Sequence, residues 1–128
     1  MGTELLQLNV LTGQILDSAF RIHSLLGPGL LESVYETLLA RDLIALGLKV
    51  ERQKPVSFEF DGVRFRDAFR VDLLVERSVV VEIKSVTALG PAHHKQLLTY
   101  LRLLDCRLGL LLNFGAPHLR DGIKRVAN

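Results

Sequence analysis

Glu82 and Lys84 stand two residues apart in the run Val79-Val80-Val81-Glu82-Ile83-Lys84. A run of this kind reads as a strand, and residues two apart on a strand point to one face. Asp72 lies ten residues before Glu82, in a stretch that alternates Val71, Leu73 and Val75 with Asp72 and Leu74. Between the two strands, Glu76-Arg77-Ser78 reads as a short turn. A three-residue turn makes Val75 the partner of Val79, Leu73 the partner of Val81 and Asp72 the partner of Glu82. Opposed residues of an antiparallel pair have β-carbons about 4.5–5.5 Å apart. Asp72, Glu82 and Lys84 would then form one patch, and a register slip of one residue would disperse it.

Two carboxylates at that distance repel unless a cation or a proton intervenes. Hard oxygen donors suit Mg²⁺ or Mn²⁺, which accept one or two carboxylates with waters and phosphate oxygens. A lysine beside them can orient or activate water and offset charge on a phosphoryl transition state. The same three residues also suit a plain salt-bridge cluster on a solvated sheet face.

The elements that must position this patch follow from periodicity. Leu8, Leu11, Ile15, Ala19, Ile22 and Leu26 repeat at helical spacing across Glu4 to Leu26. Gly27-Pro28-Gly29 ends that helix, and a second runs from about Leu30 to Leu46, closed by Gly47. The period then changes to two. Val56, Phe58 and Phe60 lead to Asp61-Gly62, a hairpin turn, and the chain returns as Val63 to Val75. In an unbroken strand the odd positions face the core, and Arg64, Arg66, Arg70 and Asp72 share the polar face. Val79 to Lys84 is the next strand, Ala92 to Leu104 a helix started by Pro91, and Arg107 to Phe114 a last apolar strand. Pro117 to Asn128 reads as a short helix or turn. The order predicts an α/β (α+β-like) single domain over residues 1–128, with a mixed β-sheet flanked by helices.

The 128 residues are 48% hydrophobic, with 16 Lys+Arg against 14 Asp+Glu and a pI near 8.9. Such a chain folds around a core, so disorder is excluded. The single Cys106 excludes an internal disulfide and a CxxC zinc site. No apolar run nears the roughly 20 residues of a membrane span, and the start lacks the basic region of a signal peptide. A cytoplasmic protein that does not enter a membrane is expected. The mildly basic balance permits a polyanionic partner without demanding one.

In this order the motifs resemble a known family. Asp72 followed by Glu82-Ile83-Lys84 is similar to the motif of the PD-(D/E)xK nuclease superfamily. Gly29-Leu30-Leu31-Glu32-Ser33-Val34-Tyr35 matches GxxExxY, the signature of the small GxxExxY protein family within it. Gln96-Leu97-Leu98-Thr99-Tyr100 matches the QxxxY motif of many relatives, and Gly109 to Gly115 resembles the closing strand. The likeness runs from about Val10 to Val126. One position departs: Val71 stands where the superfamily motif has proline.

The resemblance implies a restriction-endonuclease-like αβββαβ core with an added N-terminal helix, acting as a Mg²⁺- or Mn²⁺-dependent DNA nuclease. It implies that Asp72, Glu82, Glu32 and the Ile83 carbonyl bind the metal. Lys84 would serve the attacking water, with Tyr35, Gln96 and Tyr100 as accessory residues. From the residues alone, Glu32 equally suits the first turn of a helix, where a carboxylate is favoured. Gln96 and Tyr100, one turn apart with His93 before them, equally suit a polar helix face. Arg64, Arg66, Arg70 and His93 are candidates for a nucleic-acid backbone, but Glu59 would oppose Arg64 across the hairpin. Adjacent His93 and His94 diverge by about 100° on a helix and do not make a zinc site. Cys106 reads as an inert thiol. A non-catalytic module binding nucleic acid or protein stands as the second class. A homodimer would suit a small domain acting on duplex DNA.

Overall fold

A computed structural model describes residues 2–128. Helix α1 spans Gly2–Leu26 and α2 spans Glu32–Ala45. Strands β1 (Val50–Phe60), β2 (Val63–Val75) and β3 (Val79–Lys84) follow. Then come α3 (Pro91–Leu104), β4 (Leu108–Asn113), a 3-10 turn (Leu119–Gly122) and β5 (Ile123–Ala127). The five strands form one sheet in chain order, antiparallel except for the parallel pair β3–β4. This is the expected α/β, restriction-endonuclease-like architecture with its extra N-terminal helix.

The sheet is packed on both faces. Leu11, Ile15, Ala19 and Ile22 of α1 and Tyr35, Leu39 and Leu43 of α2 meet Leu73, Val81, Ile83, Leu110 and Leu112 on one side. Leu97 and Leu101 of α3 meet Val71, Leu74, Val80, Leu111 and Val126 on the other. Glycine at 109 lets α3 lie close, because a Cβ there would reach 3.0 Å from the Leu97 methyls.

Two expectations are corrected. The tail is a short 3-10 turn only over Leu119–Gly122 and then a strand: β5 pairs with β4 along its outer edge, from Leu108↔Ala127 to Leu112↔Ile123. Its apolar residues Ile123 and Val126 are three apart, which imitates a helical turn, yet pairing with β4 satisfies its backbone. The odd positions of β2 also do not keep one face. Phe69 and Val71 belong to the cluster under α3, whereas Leu73 and Val75 belong to the cluster under α1 and α2. The strand changes sides at Asp72. A second irregularity puts three residues, Arg66 to Ala68, opposite Ser57 alone, with Asp67 left-handed and its amide donating to Ser57 Oγ at 2.9 Å.

Candidate active site

The hairpin register is the one the turn length implied: Val75↔Val79, Leu74↔Val80, Leu73↔Val81. Pairing stops there. At the next step β2 leaves β3, and the Asp72 side chain fills the gap by accepting the Ile83 amide on Oδ2 at 2.7 Å. Asp72 and Glu82 are thus brought together, and Lys84 follows two residues later at the end of β3. This is the carboxyl end of the parallel pair, the usual place for a ligand in such sheets.

Glu82 is 5% exposed, and its Oε1 is buried without a hydrogen-bond partner. Its pKa is pushed up to about 9, first by burial and then by the Asp72 carboxyl against it. The Lys84 charge and the Asp72 backbone pull it the other way. An orphaned, buried carboxylate oxygen beside a second carboxylate is a poor salt bridge, and it is what a divalent cation satisfies. The residues therefore fit Mg²⁺ or Mn²⁺: Asp72 and Glu82 would hold it, with a strand carbonyl and waters completing the set. Among the described residues, no group of three or more His, Cys, Asp or Glu side chains gathers around one point.

Tyr100 reaches the site from α3. Its ring stacks on Phe69 at 4.2 Å, and its hydroxyl pKa is raised by burial and by the charges of Glu82 and Asp72. Gln96, one turn earlier, is exposed. His93 works as a cap of α3, its Nδ1 accepting the Gly90 amide at 3.0 Å.

The second helix divides its residues differently from the motif. Tyr35 is fully buried. Its hydroxyl donates to the Gly27 carbonyl at 2.7 Å and accepts the Leu30 amide at 3.1 Å, and its ring stacks on Phe114 at 4.4 Å. It pins the turn between α1 and α2. Ser85, next to Lys84, donates to the Leu30 carbonyl at 2.7 Å, so that turn also braces the end of β3. Asn113 clamps Val86 through its amide and carbonyl at 3.0 Å each, and a Cβ at Gly115 would strike the Val86 carbonyl. Glu32 is exposed in the first turn of α2, whose N-cap Leu31 makes no side-chain cap.

Two residues near the site were not singled out from sequence. Glu36, only 6% exposed, accepts Arg52 at 3.1 Å and the Gln53 amide at 2.6 Å. Gln53 donates the same Nε2 to Asp72 Oδ1 at 3.2 Å. Glu36 had a signal: it interrupts the buried stripe Tyr35, Leu39, Ala40, Leu43. Gln53 had none.

Arg64, Arg66 and Arg70 are all exposed, and Arg64 opposes Glu59 as the hairpin count implied. The irregularity at Ser57 separates Arg64 and Arg66 from Arg70, so they do not form one unbroken row. A cleft of about 860 Å³ opens at the other end of β3, lined by Leu8, Leu11, Glu76, Arg77 and Arg107 with Cys106. It contains none of the candidate residues.

A family model described as PD-(D/E)XK nuclease superfamily matches residues 9–126. The chain belongs to this superfamily. No curated protein and no solved structure gives a significant match. As a PD-(D/E)XK member it carries Val71 where the motif has proline. Val71 is fully buried under α3, so a large apolar side chain holds the strand at the point where it changes sides.

Proposed function

We propose that the chain is a Mg²⁺- or Mn²⁺-dependent nuclease that hydrolyses phosphodiesters of DNA, with Asp72, Glu82 and Lys84 as its catalytic residues. One observation carries this: a buried Glu82 carboxyl with an orphaned oxygen, set against Asp72 and two residues from Lys84. Family membership supports the reaction class. When bound, the cation supplies Lewis-acid stabilisation of phosphoryl charge. The chain's own residues do the rest. Asp72 is held by the Ile83 amide, which fixes one oxygen and leaves the carboxylate aimed at Glu82. Lys84 places a positive charge beside both, where it orients the attacking water and offsets charge on the phosphoryl oxygens. Tyr100, packed on Phe69, closes the α3 side.

The family branch and the further metal donors rest on the resemblance. Gly29 to Tyr35 supports placement in the GxxExxY branch. By that resemblance Glu32 and the Ile83 carbonyl are further metal donors and Gln96 is an accessory residue beside Tyr100; the exposed Arg64, Arg66 and Arg70, with His93, are contacts for the nucleic acid. A small domain acting on duplex DNA gains from pairing, so action as a cytoplasmic homodimer completes the proposal.

The test is cleavage of supercoiled, linear duplex and single-stranded DNA with Mg²⁺ or Mn²⁺. The reading requires cleavage that chelation abolishes and that Asp72→Ala lacks. Nucleic-acid binding without cleavage under all conditions would instead favour the non-catalytic module.

A further inference from the structure

Gln53 occupies a conformation that its neighbours do not share. It sits inside β1, yet its φ is +47°, a left-handed value that side chains other than glycine seldom adopt. The ladder does not shift there: Arg52 pairs with Leu73 and Lys54 with Val71, so Gln53 lies opposite Asp72. No turn requires the bend. Backbone strain of this kind persists only where the surroundings over-determine it, and it concentrates at functional sites.

The side chain shows what the bend achieves. Its Nε2 donates to Glu36 Oε1 at 2.6 Å and to Asp72 Oδ1 at 3.2 Å. Arg52 holds the other Glu36 oxygen through Nε at 3.2 Å and Nη2 at 3.1 Å. Arg52 in turn accepts no freedom of its own, since Nη2 also donates to Thr37 Oγ1 at 2.9 Å. A chain of contacts therefore runs from α2 through Glu36 and Gln53 to Asp72, whose remaining oxygen takes the Ile83 amide.

We infer that Gln53 is a positioning residue for the metal centre: its amide, bent off the strand and anchored on Glu36, fixes the Asp72 carboxylate in the orientation that receives the cation. The inference rests on the proposed metal-dependent function and deepens it. Glutamine suits the place because it is a neutral donor between two carboxylates. Lysine would neutralise the charge that attracts the cation, and a carboxylate would add repulsion without donating. Partners that orient a metal ligand typically contribute about 10- to 100-fold in metal affinity.

The test is Mn²⁺ titration, followed by electron paramagnetic resonance of the free ion, on wild type, Gln53→Met, Gln53→Gly and Asp72→Ala. Met keeps the length and removes the donor. Gly removes the side chain and accepts the left-handed backbone, so it keeps the proposal testable should Met not fold. Both Gln53 variants are expected to melt cooperatively and to bind Mn²⁺ about 10- to 100-fold more weakly than wild type. Cooperative melting with wild-type Mn²⁺ affinity in both overturns the inference. Loss of the fold in both also overturns it, making Gln53 a residue of the scaffold. If wild type binds Mn²⁺ no better than Asp72→Ala, the metal-centre reading itself fails, and the two failures are thereby told apart.

Discussion

The carboxyl group of Glu82 rests against that of Asp72 where β2 parts from β3, and Glu82 Oε1 is buried there without a hydrogen-bond donor. Burial and the neighbouring carboxyl raise the Glu82 pKa to about 9, so at neutral pH the metal-free protein holds a proton on Glu82. A cation at this site must displace it. Mn²⁺ binding near pH 7 should release about one proton. Affinity should rise as pH approaches 9. Calorimetric titration in two buffers of different ionisation enthalpy measures the proton count, and a count of zero would contradict the assignment.

The same carboxyl governs stability. Unfolded, Glu82 titrates near 4.5; folded, near 9. The folded state therefore holds this proton more tightly. Its contribution is full below pH 4.5 and is lost as pH rises through 9. Glu82→Gln stays neutral at every pH. In the presence of a chelator it should melt above wild type by an amount that grows from pH 5 to 9. A gain of about 1 kcal/mol corresponds to roughly 4 °C for a domain of this size. Melting temperatures across that range, with equal slopes for the two proteins, would refute it.

Tyr35 offers the opposite outcome. Tyr35→Phe keeps the stack on Phe114 and removes two hydrogen bonds at the α1–α2 turn. It should cost about 1–2 kcal/mol of stability. Mn²⁺ affinity should stay at the wild-type value. Denaturant unfolding and metal titration on one preparation separate these effects.

The β2–β3 hairpin was legible in the sequence because period two and a three-residue turn together determine register, which holds from Val75↔Val79 to Leu73↔Val81; beyond it Asp72 meets β3 through the Ile83 amide instead of by pairing. The helices were legible from Leu8 to Leu26 and from Leu97 to Leu104 for the same reason, a sustained period. What escaped was local geometry that breaks a period. The change of side at Asp72 and the left-handed Gln53 leave no mark in hydrophobic spacing, so Gln53 and its link to Glu36 were invisible. Tyr35 sat in a motif with Glu32, and only its hydroxyl bonds to Gly27 and Leu30 show that it holds a turn. The fifth strand was hidden by Ile123 and Val126, whose spacing suits a helix until the β4 edge is there to receive them.

Lys84 tests the central claim most directly. It is only partly buried at the end of β3, while Val81 and Ile83 carry the packing, so Lys84→Ala should leave the fold intact. Removing a positive charge beside Asp72 and Glu82 should preserve or tighten Mn²⁺ binding. Cleavage should nevertheless fall by about 10²–10⁴, the usual loss for one group acting on the reacting atoms. The measurement is Mg²⁺-dependent DNA cleavage by wild type and Lys84→Ala at equal metal occupancy. A chelator-sensitive wild-type activity that collapses in Lys84→Ala with metal binding retained is the predicted result. Equal cleavage by both proteins would place the activity elsewhere and contradict the assignment of this site.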